Sequence, residues 1–144
     1  LIGIQATGKS EFYKRNFYTT HMRINLDMLR TRNRESIFLN ACIQAKQAFA
    51  VDNTNTTRAD RQKYITLAKQ AGFEVKGYYF RSSIKEAIAR NEQRAGKACV
   101  PRSALFATHN KLELPSLDEG FDALKYVYID DDNGFVVEEY TDEV

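Results

Sequence analysis

The 144 residues predict an α/β fold, a parallel sheet with helices on both faces. Three observations carry that prediction. Short apolar runs alternate with stretches of helical spacing along the chain. A phosphate-loop spacing, G-x-x-x-x-G-K-S, is met at Gly3, Gly8, Lys9 and Ser10. Polar and charged residues then follow the ends of the apolar runs, where open parallel sheets bind their ligands.

The elements follow in order. Leu1 and Ile2 read as the end of a buried strand, expected to begin before Leu1. The loop opens a helix with Phe12, Tyr13, Asn16 and Phe17 at helical spacing. HMRIN (21–25) reads as a short strand, followed by a polar helical stretch from Leu26. Residues 36–48 place Ile37, Ala41, Gln44, Ala45 and Ala48 on one helical stripe. AFAVD (48–52) is a short apolar run ending in a carboxylate. A helix from about Arg58 to Ala71 has Thr57 and Asp60 in capping-box positions and Gly72 at its end. EVKGYYF (74–80) is the next strand. Ser83 and Glu86 open a helix to about Arg94, and Pro101 suits the first turn of a helix carrying Leu105, Phe106 and His109. ALKYVYI and FVVEEY read as two strands joined through Asn133-Gly134, a hairpin signal.

Length suits one domain over 1–144, and 43% hydrophobic with 28% charged residues is the balance of a globular protein. No apolar run approaches membrane-spanning length, and the start resembles neither a signal nor a transit peptide. Cys42 and Cys99 lack pairing or metal spacing, so a reducing, cytoplasmic setting is expected. His21 and His109 have no carboxylate or Cys at ligand spacing. The net charge of +2 hides an asymmetry: residues 130–144 carry seven acids and no Lys or Arg, leaving an excess of nine basic residues upstream. A basic body suits phosphate-rich ligands, nucleotide or nucleic acid, but equally an ordinary solvated surface.

The loop predicts where a triphosphate sits. Backbone N–H groups form an anion nest at a helix N-terminus, Lys9 reaches the β- and γ-phosphates, and the Ser10 hydroxyl ligates Mg²⁺. Gly3, Thr7, Gly8, Lys9 and Ser10 are therefore the candidate ATP phosphate-binding residues, joined by Arg90 and Arg94. The competing reading is a chance match in a glycine-containing loop. Moving a phosphoryl group further requires a carboxylate for the acceptor proton and cations on the migrating group. Asp27 and Arg30, three residues apart after a strand end, share a face if that turn is helical: a carboxylate to take a hydroxyl proton, a guanidinium to grip an acceptor phosphate. Alternatively, Asp27 merely favours a helix dipole. Asp52 stands where a carboxylate after a strand meets Mg²⁺, or else ends the strand as an Asx-turn. Arg90 and Arg94, one helical turn apart before Gly96, suit a lid over phosphates at about 86–102; a solvated face paired to Glu86 is the alternative.

The series GIQATGKS, INLDMLR, FAVDNTNTTRADR, ARNEQRAGKACVP and KLELPSLDEGF resembles the kinase domain of polynucleotide 5′-hydroxyl kinases, of the kinase–phosphatase repair type. The resemblance covers nearly the whole chain in order. It implies a P-loop kinase fold with a helical lid and a C-terminal β-hairpin and acidic tail at about 124–144, using ATP and Mg²⁺. It further implies Asp27 as general base, Arg30 on the acceptor phosphate, Lys9 and Ser10 on donor phosphates and metal, Asp52 at the metal, and Arg94 with Arg90 in the lid. Catalysis would rest on Asp27, Lys9 and Arg94, with a nucleic-acid 5′-end as partner. Gln5-Ala6-Thr7 departs from the Pro-Gly-Ser frequent in relatives, and Leu26 stands where several carry Arg. No phosphatase D-x-D-G-T motif is present. A small-molecule kinase acting on a sugar, nucleoside or antibiotic hydroxyl, and a nucleotide-binding module without catalysis, stay as alternatives.

Overall fold

A pair of strands and a group of three are drawn together by the first three residues of the chain. The computed structural model describes residues 1–141. Strand β1 (Met22–Ile24) pairs in parallel with β2 (Phe49–Val51), Arg23 lying opposite Ala50. Strand β3 (Lys76–Phe80) pairs in parallel with β4 (Ala123–Ile129), which pairs antiparallel with β5 (Phe135–Glu139). Between these groups, the Leu1 amine donates to the Val51 carbonyl at 3.0 Å. Ile2 exchanges hydrogen bonds with Tyr78 O and Phe80 N, each at 2.8 Å. Residues 1–3 form only an isolated bridge, yet they link β2 to β3. The order across the molecule is thus β1, β2, residues 1–3, β3, β4, β5.

Helices supply the crossovers that parallel strands need: α1 (Lys9–Asn16), α2 (Leu26–Leu29), α3 (Arg32–Ala45), α4 (Arg58–Gln70), α5 (Ile84–Glu92) and α6 (Arg102–Lys111). Alternation in β3 divides them between the faces. Tyr78 and Phe80 meet Phe12 of α1, at ring separations of 5.4 and 5.2 Å. Gly77 and Tyr79 point the other way, where Phe121 and Leu124 lie over Gly77 and Ile65 of α4 approaches Gly120. A further cluster joins Ile4 and Ala6 of the loop to Ala87 and Leu105 on α5 and α6.

The expected caps form. Thr57 accepts from Asp60 N at 3.0 Å and Ser83 from Glu86 N; Gly72 follows α4 at φ 83°. Pro101 sits one residue earlier than expected, at the N-cap of α6. The hairpin forms as well. Asp130 N bonds Gly134 O, and Asn133 occupies the left-handed position of a three-residue loop at φ 59°. One expectation is corrected. The buried stripe of α3 is Glu35, Leu39 and Cys42, while Ile37 is 58% exposed. The helix turns to bring a carboxylate inward, and that carboxylate has partners there. Residues 142–144 of the expected acidic tail lie outside the described residues. No helix among the described residues is long and apolar enough to cross a membrane.

Two segments far apart in sequence are locked by a buried ion pair. Arg61 of α4 reaches both Glu119 carboxylate oxygens, Nε at 2.7 Å, and gives two more hydrogen bonds to the carbonyls of Asn55 and Thr56. Glu119 also closes the capping box on Ser116. Both side chains are essentially inaccessible. Removing one partner strands a buried charge, so Arg61→Ala or Glu119→Ala should cost about 3–5 kcal/mol in urea unfolding. Arg58→Ala, which breaks the exposed Arg58–Asp118 pair, should cost no more than about 1 kcal/mol.

Candidate active site

The phosphate loop leaves Ile4 and turns into α1 with few glycines. Gly8 caps the helix at φ 95°, and Ala6 takes a left-handed conformation at φ 62° that glycine adopts at less cost. Gly8 has no substitute: a Cβ there would lie 2.8 Å from the Phe135 ring and 3.0 Å from Ile129. Thr7 Oγ1 donates back to Ile4 O at 2.9 Å, and Ile4 N is held by Ser82 Oγ. Gln5 donates to Thr108 on α6 and leaves its own Oε1 without a partner.

Lys9 is buried and folded onto its own loop, Nζ lying 2.9 Å from Gly3 O and 2.7 Å from Ile4 O. Burial lowers its pKa from 10.5 to about 8. The Asp52 and Asp27 carboxylates oppose that shift and the Arg94 guanidinium adds to it. The field at the ammonium therefore registers three of the charges that the sequence assigns to the site.

One residue on, Ser10 Oγ donates to Asp52 Oδ2 at 2.9 Å. Asp52 is 2% exposed, at the carboxyl end of β2. Its backbone is held by Asn25, whose amide donates to Asp52 O and whose carbonyl oxygen caps α2 at Met28 N. Asn53 Oδ1 accepts from Leu26 N. The short helix α2 is thus tied at its start to the end of β2, and Asp27 projects from its first turn.

Thr7, Gly8, Lys9, Ser10, Asp27, Asp52 and Arg94 line one cavity of about 360 Å³. Arg94 arrives from the segment between α5 and α6, which buried Asn91 of α5 holds by reciprocal bonds to Val100 N and O. Gly3 lies behind the loop, holding Lys9 through its carbonyl. Arg30 and Arg90 are not among the lining residues. Arg30 ends α2 at φ 77° and is exposed; Arg90 faces Glu86 on its own helix at 4.0 Å. A second, largely apolar cavity of about 310 Å³ lies between β2 and β3 and carries none of the candidate residues.

Several residues of the site were not singled out by the sequence. Arg23 counted only toward the basic excess, yet its guanidinium bonds both Asp52 and Ser10. Arg32, Lys63, Tyr64 and Asn53 line the cavity beyond Asp27 and gather on Glu35. Tyr64 OH donates to Glu35 at 2.9 Å, Arg32 at 3.0 Å and Asn53 at 3.2 Å. Burial pushes the Glu35 carboxyl up, but those three donors outweigh it and hold the pKa below its ordinary value. Tyr64 is pushed up to about 12 by burial and by the adjacent carboxylate. The available signal was Glu35 four residues before Leu39, a carboxylate on an apolar stripe.

Among the described residues no cluster of three His, Cys, Asp or Glu forms a metal centre. Ser10 and Asp52 nonetheless fit Mg²⁺, which prefers hard oxygen ligands and completes its shell with water and substrate phosphates. The Arg23 guanidinium lies on the same two oxygens.

A family model described as an AAA domain (AAA_33) matches residues 1–115. A bifunctional polynucleotide phosphatase/kinase of Schizosaccharomyces pombe is 25% identical over 130 residues, covering 84% of this chain and 31% of the relative. The chain thus spans under a third of that relative's length. The crystal structure of a gluconokinase from Sinorhizobium meliloti 1021 superposes with a TM-score of 0.59 over 87% of this chain and 79% of that one. At 18% identity the likeness is one of fold, and it is the P-loop kinase fold.

The buried ammonium gives a pH signature. Because Lys9 binds its proton less tightly folded than unfolded, the folded state gains stability as pH rises from about 8 toward 10.5. An NMR titration of the Lys9 Cε resonance should find the midpoint near 8. Asp52→Asn should move that midpoint down and Arg94→Ala should move it up.

Proposed function

The chain belongs to the AAA_33 family of AAA domains, and from that premise we propose that it transfers the terminal phosphate of ATP to a hydroxyl, with the 5′-hydroxyl end of DNA or RNA as acceptor. One observation carries the reading: Lys9, Ser10, Asp27, Asp52 and Arg94, from four separate stretches of sequence, line a single cavity.

The donor phosphates lie on the N–H groups of the loop and of the start of α1. Lys9 exchanges the carbonyls of Gly3 and Ile4 for phosphate oxygens. Ser10 and Asp52 would hold a Mg²⁺, which would supply charge neutralisation for the donor phosphates. Asp27 accepts the proton of the acceptor hydroxyl as its oxygen bonds to the γ-phosphorus, and ADP leaves with the electrons of the broken P–O bond. Arg94 faces the charge on the migrating phosphoryl; Arg90 belongs to the same lid one turn earlier. The basic excess of the body supports a polyanionic acceptor. So does the identity to a relative named as a polynucleotide phosphatase/kinase. A polynucleotide extends beyond the cavity, where exposed Arg30 is available to its backbone. Cys42 and Cys99 are both unpaired, which suits a reducing, cytoplasmic compartment. A small-molecule acceptor is the second reading, favoured by the volume of the cavity, which is of metabolite size.

Transfer of labelled phosphate from ATP to 5′-hydroxyl DNA and RNA oligomers tests the proposal. Asp27→Asn should lower kcat by about 10²–10⁴-fold, and Arg94→Ala by about 10²-fold or more. Oligomer binding should weaken steeply between roughly 50 and 200 mM salt. Wild type and Asp27→Ala equally inactive on every oligomer would end the nucleic-acid reading. Salt-independent transfer to a neutral metabolite would replace it with the second.

A further inference from the structure

We propose that Arg23 is an internal counter-cation of the divalent-ion site: it holds the Asp52 and Ser10 oxygens in the nucleotide-free protein, excludes an ion that arrives alone, and yields to an ion that arrives with a triphosphate. The inference rests on the reading of Ser10 and Asp52 as ligands of that ion.

Arg23 projects from the middle of β1, beside β2. Its Nε lies 2.9 Å and a terminal nitrogen 2.8 Å from Asp52 Oδ2. A terminal nitrogen also donates to Ser10 Oγ at 3.0 Å, and Ser10 donates its own proton to the same Oδ2 at 2.9 Å. The Asp52 side chain is 1% exposed, whereas that of Arg23 is 28% exposed and lies 6.0 Å from the Tyr13 ring centroid. The carboxylate is therefore fixed in the protein while the cation sits at its solvent side.

A buried carboxylate left unpaired is costly, so the pair is the resting state of a site without metal. Mg²⁺ or Mn²⁺ needs the same two oxygens with open lone pairs and near-octahedral directions. Oδ2 already accepts from Arg23 Nε and from Ser10 and has a second guanidinium nitrogen at 2.8 Å, so it cannot also face an ion. An ion arriving alone must break the Arg23 pair and leave the guanidinium facing a second cation. One arriving with a triphosphate brings anionic oxygens that re-pair the guanidinium by charge-assisted hydrogen bonds. Ion and nucleotide binding are then coupled, and the coupling runs equally in both directions.

The test needs no phosphoryl transfer. Free Mn²⁺ is followed by its electron paramagnetic resonance signal, with and without the β,γ-imido analogue of ATP. The proteins are wild type, Arg23→Gln, Arg23→Lys, and Arg23→Gln combined with Asp52→Asn. Without nucleotide, Arg23→Gln should bind one Mn²⁺ at least about tenfold more tightly than wild type, the scale of one charge-assisted hydrogen bond. The added Asp52→Asn should remove that gain. Mn²⁺ should raise the melting temperature of Arg23→Gln more than that of wild type. Arg23→Lys, with the charge but no fork, should fall between them, and it decides alone if Arg23→Gln does not fold. Equal Mn²⁺ affinity in wild type and the Arg23 variants overturns the proposal, as does a gain that survives Asp52→Asn. If wild type with the ATP analogue binds no Mn²⁺, the ligand reading fails as well. Wild-type protein that binds Mn²⁺ as expected yet transfers no phosphate overturns only the transfer reading.

Discussion

A guanidinium sealed between two helical segments carries the loop on which the rest of the molecule hangs. Arg61 gives two hydrogen bonds to Glu119 and two more to the carbonyls of Asn55 and Thr56. Those carbonyls belong to a bend with Asn55 at φ 48°, a conformation costly for a non-glycine residue unless its surroundings dictate it. From the bend, Asn55 holds Leu1 O, Thr54 O accepts from Gly3 N, and Asn53 starts α2. Three elements that bear on the cavity therefore take their positions from one loop. That loop is held from behind by an ion pair whose residues lie 58 apart in sequence. Such a pair adds little stability compared with an apolar replacement. Here it ties a polar bend to the segment that carries Glu119.

The cavity has opposite charges buried close together, and each is satisfied internally. Lys9 is neutralised by nothing nearer than the Asp52 and Asp27 fields, and it occupies loop carbonyls instead. Asp52 occupies Arg23 and Ser10. Both groups are thus already desolvated and aimed. A ligand of the right charge exchanges partners without stripping water from them, which is the sense in which such a site is preorganised.

Local signals carried the sequence reading, and non-local ones escaped it. Thr57 and Ser83 cap because the bond each makes spans three residues. The runs 123–129 and 135–139, rich in β-branched and aromatic residues, form strands where that composition places them. The convergence of Lys9, Ser10, Asp27 and Asp52 on one cavity could be anticipated from a topological rule about strand ends. Nothing local distinguishes Arg23 from any strand residue; its meaning comes from the chain returning alongside as β2. The rotation of α3 was hidden similarly. Ile37 looked like a core residue until Tyr64 and Asn53 supplied donors for Glu35. Arg30 and Arg90 share a limitation of spacing arguments. Periodicity gives a face of a helix but does not say whether a φ of 77° ends the turn at Arg30, or whether Glu86 engages Arg90 first.

The family match ends at residue 115, and every candidate site residue lies within it, but two of the supports do not. Glu119 anchors Arg61 from outside the matched region. Phe135 and Ile129 of the hairpin press on Gly8, and Phe135 also packs on Phe12 at 5.2 Å beneath Arg15. In a loop with alanine at one left-handed position, this pressure has a clear role. Ala6 is strained at φ 62°, and a strained conformation persists only where its neighbours over-determine it. The hairpin fixes one end of the loop at Gly8, while Thr7 and Ser82 pin Ile4 at the other. Between two fixed ends Ala6 has no relaxed alternative. The left-handed alanine is therefore held by strands from beyond the matched region, and the shape of the loop depends on chain that carries none of the candidate site residues.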